Sequence, residues 1–125
     1  MIGAVLVLLT ALYMRHRLET RGLAARIAEQ IKSHGLEIDA NALKQHSYDK
    51  NASVRSLMDG EDMTAAVEAS KAAGFSSDID RRGEVYCLLA ELGGGEVLTV
   101  FVVDEEVELA FIQTAEKTEV KPING

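Results

Sequence analysis

The chain has one cysteine (Cys87), one proline (Pro122) and no tryptophan in 125 residues. A lone cysteine cannot close an internal disulfide, which excludes a cross-linked scaffold of the small secreted type and suits a reducing compartment. One proline leaves no room for a proline-rich linker, and no low-complexity tract is present. Also missing are a Cys-x-x-Cys pair, a dinucleotide-binding glycine fingerprint, a phosphate loop and a serine paired with a histidine in nucleophile fashion. On these grounds no catalytic residue, cofactor or metal set is expected, and a non-catalytic protein is favoured over an enzyme.

Positive charge is also scarce, with 13 Lys and Arg against 20 Asp and Glu for a net charge of −7. It is unevenly distributed. Residues 1–34 carry Arg15, Arg17, Arg21, Arg26 and Lys32 against Glu19 and Glu29, a surplus of three positive charges, which leaves −10 on residues 35–125. An acidic body of this kind is repelled by phosphate backbones, so nucleic acid is excluded as its direct partner.

No charged residue occurs in the first fourteen positions, MIGAVLVLLTALYM, after which the chain turns basic at Arg15, His16 and Arg17. An apolar run followed by a cationic flank reads as a membrane anchor with the flank on the cytoplasmic side. A spanning helix needs roughly 20 residues at about 1.5 Å each. Arg15 and Arg17 extend the usable span to Leu18 by laying their methylene stems along lipid, and Tyr13 suits the interface. Residues 1–18 are therefore expected to anchor the chain through Ile2, Val5, Leu6, Leu8, Leu9, Leu12, Tyr13, Arg15 and Arg17, with the amino terminus outside and the body cytoplasmic. A cleaved signal peptide fits less well. It would start with a basic region, whereas the nearest small-x-small triplet, Gly22-Leu23-Ala24, lies beyond three arginines and a glutamate.

Residues 19–35 are expected to form an amphipathic stalk helix. Ala24, Ile27, Ala28 and Ile31 fall at i, i+3, i+4 and i+7, Leu23 joins the same stripe, and Gly35 with Leu36 forms the stop. The stripe Leu23, Ala24, Ile27 and Ile31 is a candidate contact for a partner helix, a second copy of the chain included; packing on a helix of the same chain is the competing use. Asp39 should cap a short helix over Ala40 to His46, giving a helical hairpin, and a short strand is expected around Ser53 to Met58. The next helix begins near the acidic residues Asp59, Glu61 and Asp62. It keeps Met63, Ala66, Val67 and Ser70 on one face and stops at Gly74-Phe75.

From Gly83 onward the period changes. EVYCLLAEL, EVLTVFVV and VELAFIQT are β-branched and aromatic runs separated by Gly93-Gly94-Gly95 and by Asp104-Glu105-Glu106, which predicts an antiparallel meander with Val97 to Val103 central and either covered on both faces or set with one face against helix and the other against a partner. Val107, Leu109 and Phe111 alternate with Glu108 and Ala110, as a half-exposed outer strand would, and are the second set of candidate partner contacts. A helix over Glu105 to Lys117 is the competing reading. The expected architecture is α+β, with an anchor-and-stalk helix followed by a small domain, residues 36–125, of two further helices on a three- or four-stranded antiparallel sheet.

The chemical candidates have bland counterparts. Cys87 sits mid-strand among apolar residues, which favours burial over a reactive thiolate. His34 and His46, around Glu37 and Asp39, are the best metal candidates but lack a thiolate or a third histidine. Asp78-Ile79-Asp80 has diacid spacing without a nucleotide loop, and Gly93-Gly94-Gly95, flanked by strands, reads as a hairpin turn. The function expected is a binding or regulatory domain anchored at the membrane, an accessory subunit or scaffold whose partners are membrane lipid and a protein. The alternatives are a metal- or thiol-dependent enzyme and a structural subunit of a membrane assembly.

Overall fold

A computed structural model describes residues 22–58, 63–114 and 119–124. Helix α1 covers residues 22–33. A short 3-10 turn, Ala40–Ala42, leads to strand β1 (Lys44–Ser53) and helices α2 (Val54–Leu57) and α3 (Met63–Ala72). Strands β2 (Arg82–Gly93), β3 (Glu96–Val103), β4 (Glu106–Gln113) and β5 (Val120–Lys121) complete the order. The anchor predicted over residues 1–18 and the acidic start predicted at residues 59–62 lie outside the described residues. Among the described residues, no helix is long and apolar enough to cross a membrane.

The described residues form an α+β domain: three helices on a five-stranded antiparallel meander in the order β1-β2-β3-β4-β5. Period-2 patterning with both faces apolar puts β3 at the centre, and Leu98 to Val103 are all buried. The glycine triplet turns β2 into β3. Asp104 and Glu105 turn β3 into β4 with φ of 49° and 68°, positive at both central positions as a tight hairpin requires. The Asp104 amide donates to the Glu84 carbonyl at 3.0 Å, and its carboxylate accepts from the Glu84 amide at 2.9 Å.

Each face of the sheet holds its own core. On one face α1 lays Leu23, Ile27 and Ile31 over Leu88, Leu98, Val100, Val102 and Ile112. On the other, α2 and α3 contribute Val54, Ala66 and Ala69 against Val85, Phe101, Val103 and Phe111. Burial of apolar surface on both faces is what holds the three layers together.

Both helix stops have the predicted form. Gly35 (φ 110°) and Gly74 (φ 94°) take the left-handed conformation that a β-carbon disfavours. The amides that follow, Leu36 and Phe75, donate back to Ile31 and Ser70 at 3.3 and 3.0 Å, giving a Schellman motif at each end.

Four expectations are corrected. Asp39 does cap the next segment, accepting the Asn41 amide at 2.9 Å, but that segment is a single 3-10 turn and His46 lies in β1, so there is no helical hairpin at this point. The strand expected at Ser53 to Met58 is helix from Val54, where Ser53 and Ser56 form a reciprocal capping box; the true strand lies just upstream, its polar composition hiding it. The sheet has five strands rather than three or four. Finally, β4 is not an outer strand: it lies between β3 and β5 with both faces covered, and the alternative helix over Glu105 to Lys117 is excluded by strand pairing along Glu106–Gln113.

The two sheet edges differ. β5 pairs only with Ile112 and Gln113, and α3 lies along the rest of the β4 edge. There the buried Ser70 hydroxyl accepts the Ala110 amide at 3.1 Å. Among the described residues β1 is the open edge, broken by two register shifts and lined by polar residues such as Lys44 and Lys50, which discourage edge-to-edge pairing.

Candidate functional site

Among the described residues, the helices on the α2/α3 face are short or set to one side, and they leave one end of the sheet only partly covered. α2 has four residues and α3 packs mainly on β4 and β5. At that end lies a groove of about 460 Å³ floored by the buried Cys87, Thr99, Phe101 and Phe111 and the half-buried Leu89 and Val97. Leu57 and Met58 form part of its wall, and His46, Gln113 and Thr114 add polar atoms. Among the described residues that line it, none is Asp, Glu, Lys or Arg. A second furrow of about 610 Å³ meets it at His46, Leu89 and Val97 and runs past the start of β1, adding Lys44 and Glu91. Apolar concavities with a few polar groups at the margin are the usual form of ligand sites.

Cys87 opens onto this groove but is 3% exposed. Burial pushes its thiol up to about 11, and a hydrogen bond with Ser47 offsets this only in part. The group is a protonated, small apolar side chain at neutral pH, not a nucleophile.

The histidines are held apart in role. His34 Nδ1 lies 2.8 Å from the Ala73 carbonyl oxygen, to which it donates, and its ring stacks on Phe75 at 4.0 Å. It joins the carboxyl ends of α1 and α3, while His46 lines the groove. No cluster of three or more His, Cys, Asp or Glu able to hold a metal occurs among the described residues. The diacid Asp78 and Asp80 shapes its own loop. Asp78 accepts the Asp80 amide at 3.1 Å, and Arg55 grips Asp80 with two bonds of 2.7 and 3.1 Å, which holds that carboxyl below the ordinary range.

The candidate partner contacts are occupied within the chain. Ile27 and Ile31 are fully buried and Leu23 nearly so, Ala24 is half-buried, and Val107, Leu109 and Phe111 are all buried. The helical stripe spends its apolar face on this chain's own sheet, and the strand residues fill the two cores, with Phe111 alone also reaching the groove. The anchor residues Ile2, Val5, Leu6, Leu8, Leu9, Leu12, Tyr13, Arg15 and Arg17 lie outside the described residues.

Two features escape sequence reasoning. One is the groove, whose floor residues are ordinary strand residues; only the helices' placement makes them a site. The other is Glu108, a carboxylate with 2% exposure. Between Phe101↔Leu109 and Val102↔Val107 the pairing skips Glu108, a β-bulge. Its carboxylate accepts from Ser76 Oγ at 2.7 Å, the Asp78 amide at 3.0 Å and Arg81 at 2.8 Å, and its carbonyl accepts the Ser77 amide at 2.9 Å. On the opposite face Gln30 completes the bulge, accepting the Val107 amide at 2.9 Å and donating to the Glu105 carbonyl at 3.1 Å. These bonds compensate the buried charge and fix the loop 75–81 to the sheet, while Gln30 fixes α1 to the same bulge.

No family model, curated protein or solved structure matches the chain.

Proposed function

We propose that this chain is a small binding or regulatory protein, held at the inner face of a membrane by its amino-terminal apolar run, that takes its ligand in the uncharged groove. The observation that supports the reading is the contrast between that groove and the rest of the molecule: a largely apolar concavity whose described lining residues carry no ionised side chain, in a strongly acidic chain. A concavity lined by apolar side chains with a few polar groups is the usual form of a recognition site. The location rests on the uncharged run Met1 to Met14 followed by Arg15, His16 and Arg17. An anchored domain meets its membrane partners at a raised effective concentration and needs no tighter contacts to do so.

The test is cell fractionation of the full chain and of a chain lacking residues 1–20. The full chain is expected to stay with membranes through alkaline carbonate, and the shortened chain to appear in the soluble fraction. Protease added to intact cells should spare the body. A full chain that is soluble without detergent, or a body digested from outside, would overturn the location.

A further inference from the structure

We propose that β1 is the contact through which two copies of this chain pair, edge to edge and antiparallel, in one register: Lys44 opposite Asp49 of the second copy and Gln45 opposite its Tyr48. The two five-stranded sheets then continue into one another across a two-fold axis. The inference rests on β1 alone and stands whether or not the chain is anchored or its groove occupied.

Three observations single out this occupant. First, β1 stands at the end of the strand order, and no strand takes up its outer backbone groups among the described residues. Second, a register shift at His46 decides which of its side chains share a face. Gln45 pairs with Leu88 and Tyr48 with Tyr86, so these two residues, three apart, both lie on the α1 face. Lys44 pairs with Leu89 and Asp49 with Val85, which puts that pair, five apart, on the other face. Residues opposed across an antiparallel pair share a face, and in an unbroken strand residues three or five apart do not. The bulge lets both oppositions occur in a single register of a continuous sheet, and the two-fold axis repeats each of them. Third, the charges favour a second copy. A lysine on an edge repels most strands, but here it meets a carboxylate, both groups being exposed, while Lys50 falls opposite Leu43 rather than a second lysine. Tyr48, a large side chain left 43% exposed, is covered by Gln45 of the second copy.

The test uses the full chain in mild-detergent micelles. Gln45→Cys and Tyr48→Cys, both at exposed positions, are made separately. Mixed and gently oxidised, they should cross-link, because directly opposed residues lie about 5.5 Å apart at Cα, within the roughly 4.4–6.8 Å that a disulfide spans. Neither variant alone should do so, since each then sits at least about 10 Å from its own copy. Cys87, being buried, should stay unlinked. In analytical ultracentrifugation Lys44→Glu and Asp49→Lys should each weaken the dimer about tenfold, and the two reversals combined should restore it to within about threefold. Lys50→Glu, which alters net charge as much as Lys44→Glu, should also stay within about threefold of the parent chain. A chain that is monomeric throughout, or a single variant that cross-links with itself, would overturn the proposal. So would a dimer indifferent to both single reversals; if it is then lost on removing residues 1–20, the association belongs to the amino-terminal run instead.

Discussion

The two faces of the sheet carry cores of different construction. On one, a single helix with a continuous apolar stripe, Leu23, Ile27 and Ile31, runs across aliphatic side chains from β2, β3 and β4 and leaves them buried. On the other, a four-residue helix and a helix set over the β4 edge meet Phe101 and Phe111, with Leu89 and Val97 left half-covered beyond them. A helix whose stripe is as long as the sheet is wide closes a face. Two short pieces cannot, and the remainder becomes a groove. The closed face therefore supplies stability, and the open one is the place where binding costs the fold little.

The contrast can be broken at its hinge, the bulge that both faces share. Glu108→Ala takes the shared acceptor from Arg81, the Ser76 hydroxyl and the Asp78 amide, although Arg81 keeps Glu106 at 3.2 Å, and should cost about 3 kcal/mol in urea denaturation. On the closed face, Ile27→Ala removes a fully buried side chain and should cost about 3 kcal/mol by the same measurement.

Cys87 reports on the open face from underneath. Its thiol stands at about 11 against an ordinary 9.0, so at pH 8 iodoacetamide should modify it about a hundredfold more slowly in the folded chain than in urea. The unfolded chain releases that proton first. Stability should accordingly be unaffected by this group below pH 9 and fall as pH rises from 9 towards 11, which a pH series of urea midpoints would detect. The smallest effect belongs to the groove itself: Leu89→Ala should cost below about 1 kcal/mol, since the side chain is only half-buried. A loss as large as that of Ile27→Ala would erase the distinction between the faces.

Much of this fold is legible in the chain. The two Gly-plus-apolar stops, the glycine hairpin and the central apolar strand follow from local chemistry, because each depends on residues close in sequence. β1 was hidden for the opposite reason. Its residues, KQHSYDKN, are polar because the strand forms an open edge, and only pairing with β2 makes them a strand. The alternation of Val107, Leu109 and Phe111 suggested one exposed face. Instead the bulge at Glu108 changes the parity of the strand, so that Val107 faces α1 while Leu109 and Phe111 face the other core. The candidate site was not legible at all. It is defined by where helices end over a sheet, a tertiary fact with no local signature.

The Gln30 clamp also bears on how the domain carries load. Its amide engages the Glu105 carbonyl and the Val107 amide much as a neighbouring peptide group would, and Arg26 adds a 2.7 Å bond to the Glu105 carboxylate one turn earlier. A pull on the amino-terminal end, from whatever source, is thereby passed from α1 into the β3–β4 hairpin at the middle of the sheet rather than peeling off a loose helix. Single-molecule stretching from that end should meet resistance at the Arg26 and Gln30 contacts with this hairpin.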